Sequence, residues 1–297
     1  MIPDAVLQIV AAAFPGEPVT DLAPTFGGFS NRTVAARIGE ARVVIKAASS
    51  PPKRADVRRE ARVLSLLRGS ALPAPELLAL GEDGEWTVAV TRALAGEPGL
   101  RLYERPPESL AGSFAALGAA LARVHTVRCA ANVEPDLDLA ARAAETRAAL
   151  AGLPLDQELR ETLVASLDHP AWRGEARLVH GDAGLHNTLW QAGALALLDW
   201  EWAGWGNPLV DLAWVAWTMH FRQVQQAAWE AFLDGYGASR ALALGLEPQT
   251  VRALALGQIA GILTRARLQP PAWEEWLRRL RWTVALPDGA WELARGL

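Results

Sequence analysis

The sequence predicts an α+β protein with strands concentrated in the first ninety or so residues and helices in most of the remainder. Three observations predict it. Apolar residues alternate through "RTVAARIG" and "RVVIKAA", but recur at helical spacing from about residue 110 onward. A Gly- and Pro-rich stretch, "LAGEPGLRLYERPPES" (94–109), separates the two regimes. Finally, a strand-like island at 177–201 interrupts the helical part.

In chain order, "MIPDAVLQIVAAAFPGE" reads as a short amphipathic helix. It has no basic n-region and carries Asp4 early, so it does not resemble a signal peptide. "VTDLAPTF" and "RTVAARIG" flank a glycine-containing turn, and "GEAR" leads into the strand "RVVIKAA". The helical segment "KRADVRREARVLSLLRG" puts Val57, Leu64 and Leu67 on an apolar side, with Gly69 as its stop. Strands follow near 77–80 and 86–93, joined by "GEDGE". Helices are expected at 110–127, 138–151, 156–168, 209–236, 248–267 and 272–285, with short strands in "RLV", "NTLW" and "LALLDWE". The expected organisation is an N-terminal lobe (1–93), a connector (94–109) and a helical lobe (110–297).

With 297 residues, 51% apolar and 21% charged, the chain has ample material for one large domain or two lobes. A net charge of −4 argues against bulk nucleic-acid binding, and no apolar run approaches the roughly 18 residues that span a bilayer. Neither a nucleic-acid nor a membrane partner is therefore expected. One cysteine, Cys129, precludes a disulfide framework within the chain and reads as a small, partly buried residue. A reducing, cytoplasmic setting is the expectation. Only Lys46 and Lys53 are lysines.

The island contains the chemistry. "RLVHGDAGLHNTLW" (177–190) starts and ends apolar yet holds two histidines, an aspartate and an asparagine within eight positions. Alternation along "LALLDWE" would put Leu197, Asp199 and, if the strand continues, Glu201 on one face. Asp182, Asn187 and Asp199 thus come from adjacent loop and strand ends. Carboxylates and an amide are hard oxygen donors, suited to Mg²⁺ rather than zinc. A carboxylate not bound to metal would orient a hydroxyl and accept its proton. The rival reading is a metal-dependent hydrolase using His180, Asp182 and His186, but a strand-to-loop placement supplies no i, i+4 helical face for them.

"HGDAGLHN" followed by "LLDWE" is similar to the H-G-D-x-x-x-x-N and D-x-[DE] signatures of the aminoglycoside phosphotransferase and choline kinase superfamily, protein-kinase-like enzymes acting on small molecules. The resemblance runs from about residue 20 to 217. It implies a two-lobe fold with an N-terminal antiparallel five-stranded sheet plus helix and a mainly helical C-terminal lobe. It implies ATP and Mg²⁺ as cofactors and transfer of phosphate to a hydroxyl of a small-molecule acceptor. By the same resemblance Asp182 is the catalytic base, and Asn187 and Asp199 are the metal ligands. "GNPLVDLAW" places Asp211 where it braces the catalytic loop, with His180 packed behind it.

The nucleotide-contacting set implied is Gly27, Gly28, Ser30 and Asn31 of "FGGFSN", then Val44, Lys46, Glu60, Thr91, Ala93, Leu189 and Leu198. Lys46 of "VVIK" would pair with the α/β-phosphates and be oriented by a helix acid; Glu60 is favoured, with Asp56 in competition. Two positions depart from the family pattern: His186 stands where a glycine often precedes the asparagine, and Thr91 stands where an acid is frequent. Glu201 and Trp202 are candidates to meet an amine-bearing acceptor such as an aminoglycoside, choline, ethanolamine or thiamine, the rival reading of Glu201 and of "EPDLD" (134–138) being solvated surface. Trp200, Trp202, Trp205, Trp214 and Trp217 would form either an aromatic cage for that amine or core packing. A kinase fold without catalysis stays open as the alternative. His125 in "LARVHTV" resembles a recurrent helix of the family and reads as structural.

Overall fold

The computed structural model describes residues 2–25, 32–72, 74–128, 134–191, 193–287 and 291. Gly27, Gly28, Ser30 and Asn31 of the expected phosphate loop, and Cys129, lie outside the described residues. The chain opens with α1 (Asp4–Ala13), then the strands β1 (Val19–Pro24), β2 (Arg32–Ile38) and β3 (Ala41–Ala48). Helix α2 (Pro51–Leu66) follows, with prolines at its first positions, where no amide hydrogen is needed; Gly69, at φ 74, lies just beyond its end. β4 (Leu77–Glu82) and β5 (Thr87–Arg92) complete an antiparallel sheet of order β1-β2-β3-β5-β4, the five strands expected.

The connector is not featureless. It holds β6 (Glu97–Pro98) and a 3₁₀ turn, Gly99–Glu104. Next come α3 (Leu110–Val124), α4 (Leu139–Ala149), α5 (Gln157–Leu167) and β7 (Arg177–Val179). The hairpin β8 (Thr188–Gln191) and β9 (Ala194–Leu197) follows, then β10 (Gly204–Gly206). The remainder is helical: α6 (Leu209–Phe221), α7 (Gln226–Tyr236), α8 (Ala238–Ala243), α9 (Pro248–Ala266) and α10 (Pro270–Ala285). The single helix expected at 209–236 is two. Gln223 takes φ 54 and Val224 N–H bonds back to Met219 O at 2.9 Å, a left-handed helix stop built without glycine.

By their contacts these elements fall into two compact units, Met1–Leu102 with His186–Ala203, and Tyr103–Leu185 with Gly204–Leu297. In the first, β3 shows why the sheet forms where it does. Val43, Ile45 and Ala47 are fully buried on one face, where Val6 and Val10 of α1 join the same core. Full burial contributes roughly 1.5–3 kcal/mol for each large aliphatic side chain. The alternate residues Val44 and Lys46 point the other way. α2 adds its own buried stripe, Val57, Ala61 and Leu64. β6 pairs with β8, an approach that Gly96 permits: its φ is 144, and a Cβ there would lie 3.0 Å from Trp190 O.

In the second unit α3 packs against α7 through glycines. A Cβ at Gly118 would run into Phe232 O, and one at Gly235 into Ala115 O, so the two helices touch backbone to backbone. β10 pairs antiparallel with β7, which leads directly into the His180–Asp182 turn.

Candidate functional site

The first unit assembles a partly buried charge cluster around Lys46. From the centre of the sheet, its Nζ lies 2.5 Å from Glu60 Oε2 and 2.5 Å from Asp199 Oδ1, with Glu201 Oε2 at 3.7 Å. Of the two acids the sequence leaves in competition, Glu60 reaches the lysine. Asp56 instead holds Arg59 at 2.9 Å and Lys53 at 3.5 Å. Burial opposes the charge on Lys46, yet Asp199, Glu60 and Glu201 outweigh it and hold the ammonium well above its usual range. Burial raises Glu60, against the pull of Lys46.

The expectation that Asp199 and Glu201 continue a strand fails here. β9 ends at Leu197, Asp199 adopts φ 61, and Trp200–Trp202 form a 3₁₀ turn. α2 holds that turn in place: Glu60 Oε1 accepts the Trp200 N–H at 3.4 Å, and Arg59 donates to Glu201 O at 2.9 Å. Glu201 itself is buried, 3.7 Å from Lys53, so it faces the lysines rather than a solvated surface. Burial and then Asp199 push its carboxyl up to about 7, against both lysines.

Asn187 ends a 3₁₀ turn beside β8, and its carbonyl accepts the Leu198 N–H at 2.8 Å. This bond sets Asn187 next to the residue preceding Asp199. Carboxylate and amide oxygens on adjacent strand ends fit Mg²⁺, which keeps waters and uses few protein ligands. With four carboxylates and three cationic side chains in the Lys46 cluster, a divalent cation would offset the surplus negative charge. Val44 stands directly across from Thr91 on β5. The Ala93 N–H is engaged by Arg42 O at 2.9 Å, so Ala93 would offer a base its carbonyl. Leu189 lies on β8, half-buried, as is Leu198.

The second unit holds Asp182. Asp211, fully buried on α6, accepts the His180 N–H and the Gly181 N–H, both at 2.7 Å, and His125 Nε2 at 3.0 Å. Burial works to raise Asp211, but the hydrogen bond and charge of His125, with His180, outweigh it and leave the carboxyl below its usual value. His125 is also bonded to the Tyr236 hydroxyl through Nδ1, at 2.8 Å, a structural placement. His180 is fully buried, and its Nδ1 accepts the Asp182 N–H at 3.3 Å. That orientation does not suit the hydrolase reading, and no group of three His, Cys, Asp or Glu side chains converges on a metal site among the described residues. His186 is half-buried in the 3₁₀ turn.

Two partners of this loop escaped sequence reasoning. Gln258 of α9 donates through Nε2 to Gly181 O, and Trp214 of α6 donates through Nε1 to Asp182 Oδ1 at 2.7 Å. A helical glutamine carries no local signal; a tryptophan three residues after Asp211 does, since it lies on the same helix face. The tryptophans favour packing over a cage. Trp200 and Trp217 are fully buried, with their N–H groups on Leu197 O and Thr283 Oγ1. Trp205 is buried within β10, and Trp202 is half-buried.

A five-stranded antiparallel sheet bearing a lysine–glutamate pair, followed by a mainly helical remainder, defines a protein-kinase-like fold. The comparisons place it further: residues 21–254 match the phosphotransferase enzyme family, APH, and the chain belongs to that family. Among solved structures it is similar to the gentamicin complex of APH(2")-IIa (13% identity, 98% of this chain and 99% of that one, TM-score 0.69). It is also similar to a thermostable mutant of aminoglycoside phosphotransferase APH(4)-Ia in ternary complex with ADP and hygromycin B (19%, 97% of each chain, TM-score 0.65). A third is macrolide 2'-phosphotransferase MphH from Brachybacterium faecium (23%, 94% and 98%, TM-score 0.59). Acyl-CoA dehydrogenase family member 10 of Mus musculus is 27% identical over 206 residues, 62% of this chain and 19% of that protein. The chain thus spans about a fifth of the length of that curated relative. Among the described residues, no helix is long and apolar enough to cross a membrane.

Proposed function

We propose that the chain is an ATP-dependent phosphotransferase that phosphorylates a hydroxyl of an amine-bearing small molecule, in the cytoplasm. The observation that carries this reading is the half-buried ammonium of Lys46, 2.5 Å from both Glu60 and Asp199. It is a cation built to meet phosphate and held by an acid that is itself anchored to the Asp199 turn. Lys46, kept in place by Glu60, would meet the α/β-phosphates of ATP. Asn187 and Asp199 would hold Mg²⁺, which neutralises charge developing on the transferred phosphoryl group. Asp182 orients the acceptor hydroxyl and takes its proton. The ADP and hygromycin B ternary complex and the gentamicin complex of similar structures support a nucleotide and an amine-bearing alcohol as ligands. The same reading assigns nucleotide contacts to the sheet-bearing unit and acceptor contacts to the helical unit.

The test is Mg·ATP turnover over a panel of aminoglycosides, choline, ethanolamine, thiamine and sugars, for the wild type and Asp182→Ala. General-base roles contribute roughly 10²–10⁴-fold. The variant is therefore expected to lose turnover by about that factor while binding ATP as the wild type does. Turnover equal to that of the wild type would overturn the assignment.

A further inference from the structure

Helix α6 carries Asp211, Trp214 and Trp217 at three-residue intervals, so each lies beside the next on the helix surface. Asp211 holds the backbone of the His180–Gly181 turn. One turn further along, the Trp214 indole donates to the side chain that follows, Asp182 Oδ1 at 2.7 Å. The indole has little freedom to turn away. It is buried and stacks on Trp217 with centroids 4.6 Å apart and planes 11° apart. It also stacks against Trp276 of α10, at 6.2 Å and 23°. Trp217 is anchored in turn by its N–H to Thr283 Oγ1 at 2.9 Å.

We propose that Trp214 is a positioning residue for Asp182, its N–H fixing the direction in which the carboxylate presents itself to the acceptor hydroxyl. This rests on the reading of Asp182 as the catalytic base. The torsion that turns a carboxylate about its Cβ–Cγ bond is broad and two-fold, so the backbone bracket from Asp211 leaves it unset. A rigid donor on Oδ1 selects one setting and thereby fixes where Oδ2 points. Satisfying a buried indole does not require this partner: Trp172 and Trp200 donate to the backbone carbonyls of Ser166 and Leu197. Trp214 meets a carboxylate, and the column of rings holds it there.

Trp214→Phe keeps the stacked ring and removes the donor. It is expected to lower kcat about 10- to 100-fold, the scale of effect known for small misplacements of reacting groups. KM for ATP and for the acceptor should stay within about twofold, and the unfolding midpoint close to that of the wild type. Thr283→Val, which removes the partner of Trp217 in the same column, should leave kcat within about twofold. In ¹⁵N-tryptophan spectra, the indole cross-peak missing from Trp214→Phe should move in Asp182→Asn. The proposal is overturned if Trp214→Phe retains wild-type kcat, if Thr283→Val loses as much, or if that cross-peak stays in place. A wild-type chain that phosphorylates no acceptor removes the base, and this proposal with it. That failure is recognisable because the wild type and Trp214→Phe are then equally silent.

Discussion

Replacing Asp211 by alanine removes the acceptor for three donors inside the helical unit: the His180 N–H, the Gly181 N–H and His125 Nε2. None of the three bonds is exposed to water, since Asp211, His125 and His180 are all fully buried. A buried donor left without a partner costs about 1–3 kcal/mol, and neighbouring losses do not add fully. The expected destabilisation is therefore about 3–6 kcal/mol, beyond the usual range for a point substitution. Asp211→Asn keeps the volume but turns an NH₂ group towards amide hydrogens, so its loss should be intermediate.

Urea unfolding followed by tryptophan fluorescence measures both variants. Because the Asp211 carboxyl lies below the usual 3.8 when folded, its contribution is complete above about pH 4 and is lost only as pH falls below that. The difference between wild type and Asp211→Ala should therefore be flat from pH 5 to 8. A loss under about 1 kcal/mol, or a difference that varies across that range, would refute the argument that this carboxylate is the clamp of the Asp182 loop.

Glu201→Gln tests the charge cluster. The Glu201 carboxyl rises from 4.5 to about 7 in the fold, chiefly through burial, so its contribution is present below about pH 4.5 and is lost as pH rises through about 7. Glutamine does not titrate, and in metal-free buffer the variant should gain on the order of 3 kcal/mol over wild type between pH 4 and 8; a constant difference contradicts the burial argument. Gly235→Ala places a methyl group against Ala115 O. Overpacking of about 1–3 kcal/mol should exceed the gain of about 1 kcal/mol in helix propensity, giving a lower thermal midpoint; an unchanged or raised midpoint means that α3 and α7 are not in backbone contact.

The sequence by itself determined whatever depends on local pattern. Period-two alternation located β2 and β3 and put Val44 and Lys46 on one face of β3, opposite the buried Val43 and Ile45. The spacing of Asp182, Asn187 and Asp199 was legible because all three lie in one short stretch that resembles the signatures of the phosphotransferase family. Tertiary structure alone decided the partners. Asp56 and Glu60 are one turn apart on α2, and only the packing of that helix sends Glu60 to Lys46 and leaves Asp56 to Arg59. Glu201 reads as exposed when its neighbours are unknown, whereas the left-handed turn at Asp199 buries it beside both lysines. The stop at Gln223 was hidden because it lacks the glycine that usually marks a positive φ. Trp214 shows the limit most directly. Its spacing puts it beside Asp211 on α6, but the partner of its one polar hydrogen is decided only when the fold brings a carboxylate from 32 residues upstream to within 2.7 Å. Periodicity reports which face of an element is buried, but hydrogen-bond partners distant in the chain are chosen by packing.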